Sequence, residues 1–137
     1  MKKVALKDTE IISFKTDSTT LNETLGGDGI ETNNLVVLQA PTGEGKTTFM
    51  MRLAINASQQ GHKVAYISLG EQSEDELQIR FICMIRSIKY RGVKAKHYTD
   101  SQQLWINEAF DDESCKDILD NIDTRSEEHT SELQSRI

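Results

Sequence analysis

No apolar run in this sequence approaches the length needed to cross a bilayer, so no membrane-spanning helix is expected. The start, MKKVALKDTEII, holds two lysines but neither a sustained apolar region nor a small-residue cleavage site. That argues against a signal peptide. Cysteine is scarce: Cys83 and Cys115 lack metal-type spacing and read as free thiols in a reducing compartment. His62 and His97 are isolated, which excludes a zinc site by spacing. Positive charge is in deficit, with a formal net charge of -6. A generally basic nucleic-acid coat protein is therefore not expected, although a local basic surface is compatible with that balance. Internal repeats are absent, and so are low-complexity segments before the last residues.

What remains is a chain of 137 residues, 36% hydrophobic and 28% charged, the balance of a soluble globular protein with one modest core. Residues 35–39, LVVLQ, form a short apolar run with two valines, which predicts a buried strand. From Lys46 the period becomes helical, with Phe49, Met50, Leu53, Ala54 and Ala57 on one face and Gly61 placed to end the helix. VAYISL, residues 64–69, reads as a second buried strand. Ser73 begins a second helix, with Glu76 positioned for a capping box. Its expected core face is Leu77, Phe81, Met84 or Ile85, and Ile88. LWI at 104–106 predicts a third strand, with Trp105 in the core, and 114–123 a short helix carrying Ile118, Leu119 and Ile122. Strands alternating with helices imply a parallel sheet flanked by helices.

Between the first strand and the first helix stands A-P-T-G-E-G-K-T, residues 40–47, which fits the phosphate-binding loop pattern with Ala40 in the first glycine position. Gly43 and Gly45 permit a tight turn and close approach of the backbone to phosphate oxygens. Successive N–H groups then form an anion nest, and the helix start adds its positive dipole end. Lys46 supplies full charge to the β- and γ-phosphates, and the Thr47 hydroxyl is the expected Mg2+ ligand. Thr48 is placed to reach phosphate oxygens as well. Pro41 and Thr42 complete the loop, and Glu44 is expected to face solvent. ATP and Mg2+ are the implied cofactors.

The flanking residues carry a family resemblance. T-D-S-T-T-L-N-E-T-L-G-G (16–27) resembles the RecA-type pattern T-G-x-x-x-L-D-x-x-L-G-G that precedes such a loop, with Asp17 and Asn22 replacing the usual Gly and Asp. VAYISLGEQSEDELQIR (64–80) resembles the DnaB-like helicase pattern V-L-Y-x-S-L-E-M-S-x-x-x-L-x-x-R, with Gly70 as the simplest insertion. In that register Glu71 falls on the family's catalytic glutamate, and Arg80 on its arginine. LWINEAFDDES (104–114) looks like the family strand L-Y-I-D-D. The resemblance implies a RecA-like core and, in the intact protein, a ring-forming replicative DNA helicase acting on single-stranded DNA, a homo-hexamer or other ring, in the cytoplasm of a bacterial or phage-infected cell. RecA- or RadA-like recombination ATPases and KaiC-like regulators share much of the pattern, and G-E-Q-S around Glu71 resembles the G-E-E-S of RadA-like proteins.

Glu71 also follows from elementary geometry. It ends a strand expected beside the loop strand, and ligands in parallel sheets bind beyond the strands' carboxyl ends. A carboxylate there is placed to orient and deprotonate an attacking water; the alternative is that Glu71 joins Glu74, Asp75 and Glu76 as acidic residues favouring a helix N-terminus. Arg86, Lys89, Arg91, Lys94, Lys96 and His97, with Tyr90 and Tyr98 interleaved, offer a contact for DNA or a neighbouring subunit. A solvated helix end is the preferred reading.

Residues 125–137, RSEEHTSELQSRI, lack any period that would bury a face, and RSEEHTSELQS resembles, letter for letter, the translation of a sequencing-library adapter. The expected organisation is therefore a lead-in over 1–33, a partial RecA-like core over 34–124 and an extraneous tail over 125–137. The later strand ending in an aspartate, the DNA loops and the arginine finger that the family implies find no match before Asp123. A front part of a helicase domain is expected, with a sheet edge and an apolar face exposed.

Overall fold

The computed structural model describes residues 12–70, 72–87 and 99–126. The chain divides into two compact units, Met1–Lys46 and Thr47–Ile137.

In the first unit, β1 (Ser13–Phe14) pairs antiparallel with β2 (Ile30–Glu31), and α1 (Thr19–Thr24) lies between them in sequence. Ser18 caps α1 by accepting the Leu21 N–H. The Thr16 N–H donates to Asn22 Oδ1 at 2.8 Å, and Asn22 Nδ2 donates back to the Thr16 carbonyl at 3.0 Å. This explains Asn22 where the RecA-type pattern has aspartate, since an ionised carboxylate accepts only and returns no bond. The strand predicted at 35–39 is not formed: Leu35, Val36, Val37 and Leu38 are exposed, Leu35 at 91%, outside any ladder among the described residues. Two valines give a segment strand propensity, but a strand exists only when a neighbour takes its backbone bonds.

The second unit holds the core. α2 (Lys46–Gln59) runs into it from the unit boundary and ends in a Schellman motif: His62 N–H donates to Ala57 O and Gly61 N–H to Ser58 O, both at 3.0 Å. Gly61 is thus the stop predicted. Ala54 and Ala57 of the expected face are buried, with Met51, Ile55, Asn56 and Ser58, whereas Phe49 and Met50 are exposed. The expected and the observed faces both satisfy the helical period, and apolar spacing alone does not choose between them. β3 (Val64–Ser68) and α3 (Glu74–Ile85) form where expected. Leu77 and Phe81 are fully buried, and the Tyr66 ring meets Phe81 edge-on at 5.3 Å. Ile88 lies outside the described residues.

The predicted third strand is corrected. Residues 104–106 lie inside a helix, α4 (Asp100–Asp111), which turns Ile106 and Ala109 inward and leaves Trp105 45% exposed. Thr99 and Gln102 close a full capping box on it. α5 (Glu113–Asp120) follows, capped by Asp112. The strand comes later, as β4 (Ile122–Ser126), parallel to β3 in register from Val64↔Ile122 to Ser68↔Ser126. β4 crosses the boundary expected at Thr124, because Arg125 and Ser126 are ladder residues; residues 127–137 lie outside the described ones.

Met51, Ala54, Ile55, Leu77, Phe81 and Ile122 form the main cluster, and Ile82, Ala109 and Cys115 a second. Each large side chain so buried contributes about 1.5–3 kcal/mol. Cys83 and Cys115 are buried free thiols, and burial pushes the Cys83 thiol up. Parallel strands joined through helices make this an α/β fold consistent with part of a RecA-like domain. The opposite sheet face is open, with Ile67 exposed on it. Among the described residues no helix is long and apolar enough to cross a membrane.

Candidate nucleotide-binding site

The loop predicted from sequence is formed as a turn. Glu44 N–H donates to Pro41 O at 3.3 Å, with Thr42 and Gly43 at the bend. Gly43 has φ 85° and Gly45 φ 86°, the left-handed region that a side chain makes costly. Nothing lies within 4 Å of a Cβ built on either glycine, so the backbone angle, not crowding, requires them. Among the described residues the N–H groups of Gly43 and Gly45 have no protein acceptor. Such unmatched donors in a tight turn are the elements of an anion nest. Lys46 folds back across the loop, its Nζ donating to Ala40 O at 2.6 Å. Pro41, Thr42 and Glu44 are exposed, Glu44 as predicted.

α2 starts without a side-chain cap, because the residue before Lys46 is Gly45, and its first turn holds no acidic residue. Thr47 and Thr48 are both exposed there. Thr48 Oγ1 accepts a hydrogen bond from Arg80 Nη2 at 3.2 Å. The sequence reading gave Arg80 only a register position; this contact ties α3 to the first turn of α2. Burial raises the Tyr66 hydroxyl pKa, and the Arg80 charge beside it acts in the opposite sense.

No group of three or more His, Cys, Asp or Glu among the described residues could hold a metal. The exposed Thr47 hydroxyl is a single oxygen donor, of the kind that would join phosphate oxygens around Mg2+ rather than hold the ion alone. Glu71 lies outside the described residues, as do Lys89, Tyr90, Arg91, Lys94, Lys96, His97 and Tyr98. Arg86 is engaged within the fold: it caps α3 and pairs with Asp112, the cap of α5. Trp105, Leu104, Ser101, Gln102 and Glu108 line a shallow hollow that includes none of the loop residues.

The family model for the DnaB-like helicase C terminal domain matches residues 13–137. The chain belongs to this family. Its RecA-type ATPase fold accounts for the turn, the helix behind it and the parallel strand pair. Curated relatives include two proteins named DNA repair protein RadA. The one from Campylobacter jejuni is 36% identical over 80 residues, covering 56% of this chain and 18% of the relative. The one from Helicobacter pylori is 32% identical over 78 residues, covering 57% of this chain and 17% of the relative. The match thus spans less than a fifth of either relative. No solved structure matches the chain significantly.

Proposed function

We propose that this chain carries the nucleotide-binding part of an ATP-driven, ring-forming DNA helicase. The observation that carries the reading is the loop at 40–46: two glycines at positive φ, unmatched N–H groups and a lysine ammonium laid across the turn. The loop donors grip phosphate oxygens, and Lys46 exchanges its bond with Ala40 for the β- and γ-phosphates. Thr47 would hold Mg2+, which would supply charge neutralisation to the bound nucleotide. Glu71 orients the attacking water and takes its proton. Hydrolysis at the junctions of a homo-hexamer or similar ring drives movement on single-stranded DNA, in the cytoplasm. The tail expected over 125–137 takes no part in this chemistry.

The RadA relatives favour a second reading, a recombination ATPase, with a KaiC-like regulator further off. A third is a module that binds nucleotide without turnover. Nucleotide titration and ATP hydrolysis on the full chain separate these. Lys46→Ala abolishes nucleotide binding in every reading, and unchanged binding would sink them all. Glu71→Gln retains binding and stops hydrolysis only where the chain is an enzyme. Turnover stimulated by single-stranded DNA separates the DNA motors from a regulator, and strand unwinding separates helicase from recombinase.

A further inference from the structure

We propose that Arg80 is a positioning residue of the nucleotide site, fixing the Thr48 hydroxyl as a hydrogen-bond donor toward phosphate oxygens. The inference rests on the reading of the 40–48 stretch as a nucleotide loop and adds a residue from α3 to it. Arginine carries five N–H donors and no acceptor, and it stays protonated. In the bond from Arg80 Nη2 to Thr48 Oγ1 the hydroxyl is therefore the acceptor. A threonine hydroxyl has one proton and two lone pairs. Arg80 occupies a lone pair, and the proton must point elsewhere.

In a helix a threonine proton ordinarily turns back to a carbonyl one turn earlier. Thr24 in α1 does this, donating to Thr20 O at 2.8 Å. Thr48 does not: among the described residues its hydroxyl donates to no protein acceptor. The side chain sits in the first turn of the helix whose start has neither cap nor acid. A guanidinium on one lone pair also polarises the O–H, which strengthens its bond to an anion. Arg80 thereby couples α3, the helix entered just after Glu71, to phosphate recognition without touching phosphate itself.

The test is a double-mutant cycle on the full chain, read by titration with a fluorescent ADP derivative and Mg2+. Arg80→Met is expected to weaken binding about fivefold, the loss of one oriented hydrogen bond. Thr48→Val has a similar effect, and the double variant binds no worse than the weaker single one. Arg80→Lys, which also only donates, restores most of the affinity. Thr48→Ser against Thr48→Val repeats the comparison without altering Arg80: serine retains affinity and valine loses it. If Arg80→Met weakens the Thr48→Val protein by the same factor as the unaltered one, Arg80 acts independently and the inference is overturned. Unchanged affinity in Arg80→Met with a lowered melting temperature assigns it a merely structural role and also overturns the inference. Lys46→Ala separates the two levels. If it binds the probe normally, the loop reading fails and this inference with it. If it is silent while Arg80→Met binds normally, the loop stands and the role of Arg80 falls.

Discussion

α2 and α3 begin in opposite ways. Every helix start presents unmatched N–H groups and about half a positive charge. At α3 the chain satisfies these itself: Ser73 accepts the Glu76 N–H at 3.3 Å, and Glu74, Asp75 and Glu76 fill the first turn. At α2 the preceding residue is Gly45, the first turn is Lys46-Thr47-Thr48 with no acid, and a lysine ammonium lies across the loop in front. One end is closed by the protein's own anions, while the other offers its donors to an anion from outside. The difference supports the proposed site more sharply than the glycines do, because Gly61 and Gly70 also adopt positive φ where no site is proposed.

The comparison breaks most severely if α2 is given what α3 has. Thr47→Glu places an acid in the first turn of α2, facing the expected polyphosphate. Nucleotide affinity should fall more than about 100-fold, since like charge replaces the hydroxyl at a dipole end that otherwise attracts anions. Stability should hold or rise by about 0.5 kcal/mol, because the acid complements the helix dipole. Nucleotide titration and denaturant unfolding read the two effects separately. A Thr47→Glu chain that binds normally would show that the α2 start is not the phosphate site.

The converse change is smaller. Ser73→Ala removes the α3 cap and should cost about 1 kcal/mol of stability. Nucleotide affinity should change less than twofold, because α3 uses that hydroxyl for its own backbone. A large affinity loss at unchanged stability would assign Ser73 to the site and undo the contrast.

The sequence carried the outline of these two helix starts, through A-P-T-G-E-G-K-T and Ser73, because turn angles and caps depend on near neighbours; of the box expected between Ser73 and Glu76, only the bond from the Glu76 N–H to the Ser73 hydroxyl is formed among the described residues. Elements set by distant partners were less legible. LVVLQ at 35–39 has strand composition but forms no ladder. LWI at 104–106 resembled a strand as three apolar residues in a row, yet only Ile106 turns inward. The better signal there was Thr99-Asp100-Ser101-Gln102, which fits a capping box and forms one. β4 escaped notice because Thr124 and Ser126, two of its three inward residues, are polar. Apolar alternation does not register such a strand. Within the proposed site, the turn with its two glycines at positive φ was legible. The Arg80–Thr48 contact joins residues 32 apart, and no local pattern encodes it.

α5 supplies a third kind of helix start and the mildest test. Its cap is a carboxylate, Asp112, which accepts from the Ser114 N–H and hydroxyl, both at 2.9 Å, and pairs with Arg86. The Ser114 bonds first, and the Arg86 charge after them, hold the Asp112 carboxyl below its usual range. A carboxyl with a lowered folded-state pKa contributes stability above its unfolded value, near 3.9, and loses it as pH falls through the folded value. The α5 cap should therefore be at full strength from neutral pH down to about pH 5 and weaken below about pH 4. Ser73 carries no group that titrates in this window, so its cap on α3 should persist. Denaturant unfolding at neutral pH and near pH 3, on the unaltered chain and on Asp112→Asn, isolates the effect. Asparagine still accepts at a helix start but does not titrate, so the acid-dependent loss should be smaller in Asp112→Asn. Equal losses in both proteins would mean that carboxylates elsewhere govern the acid response and that the Asp112 cap of α5, like the Ser73 hydroxyl cap of α3, is insensitive to pH.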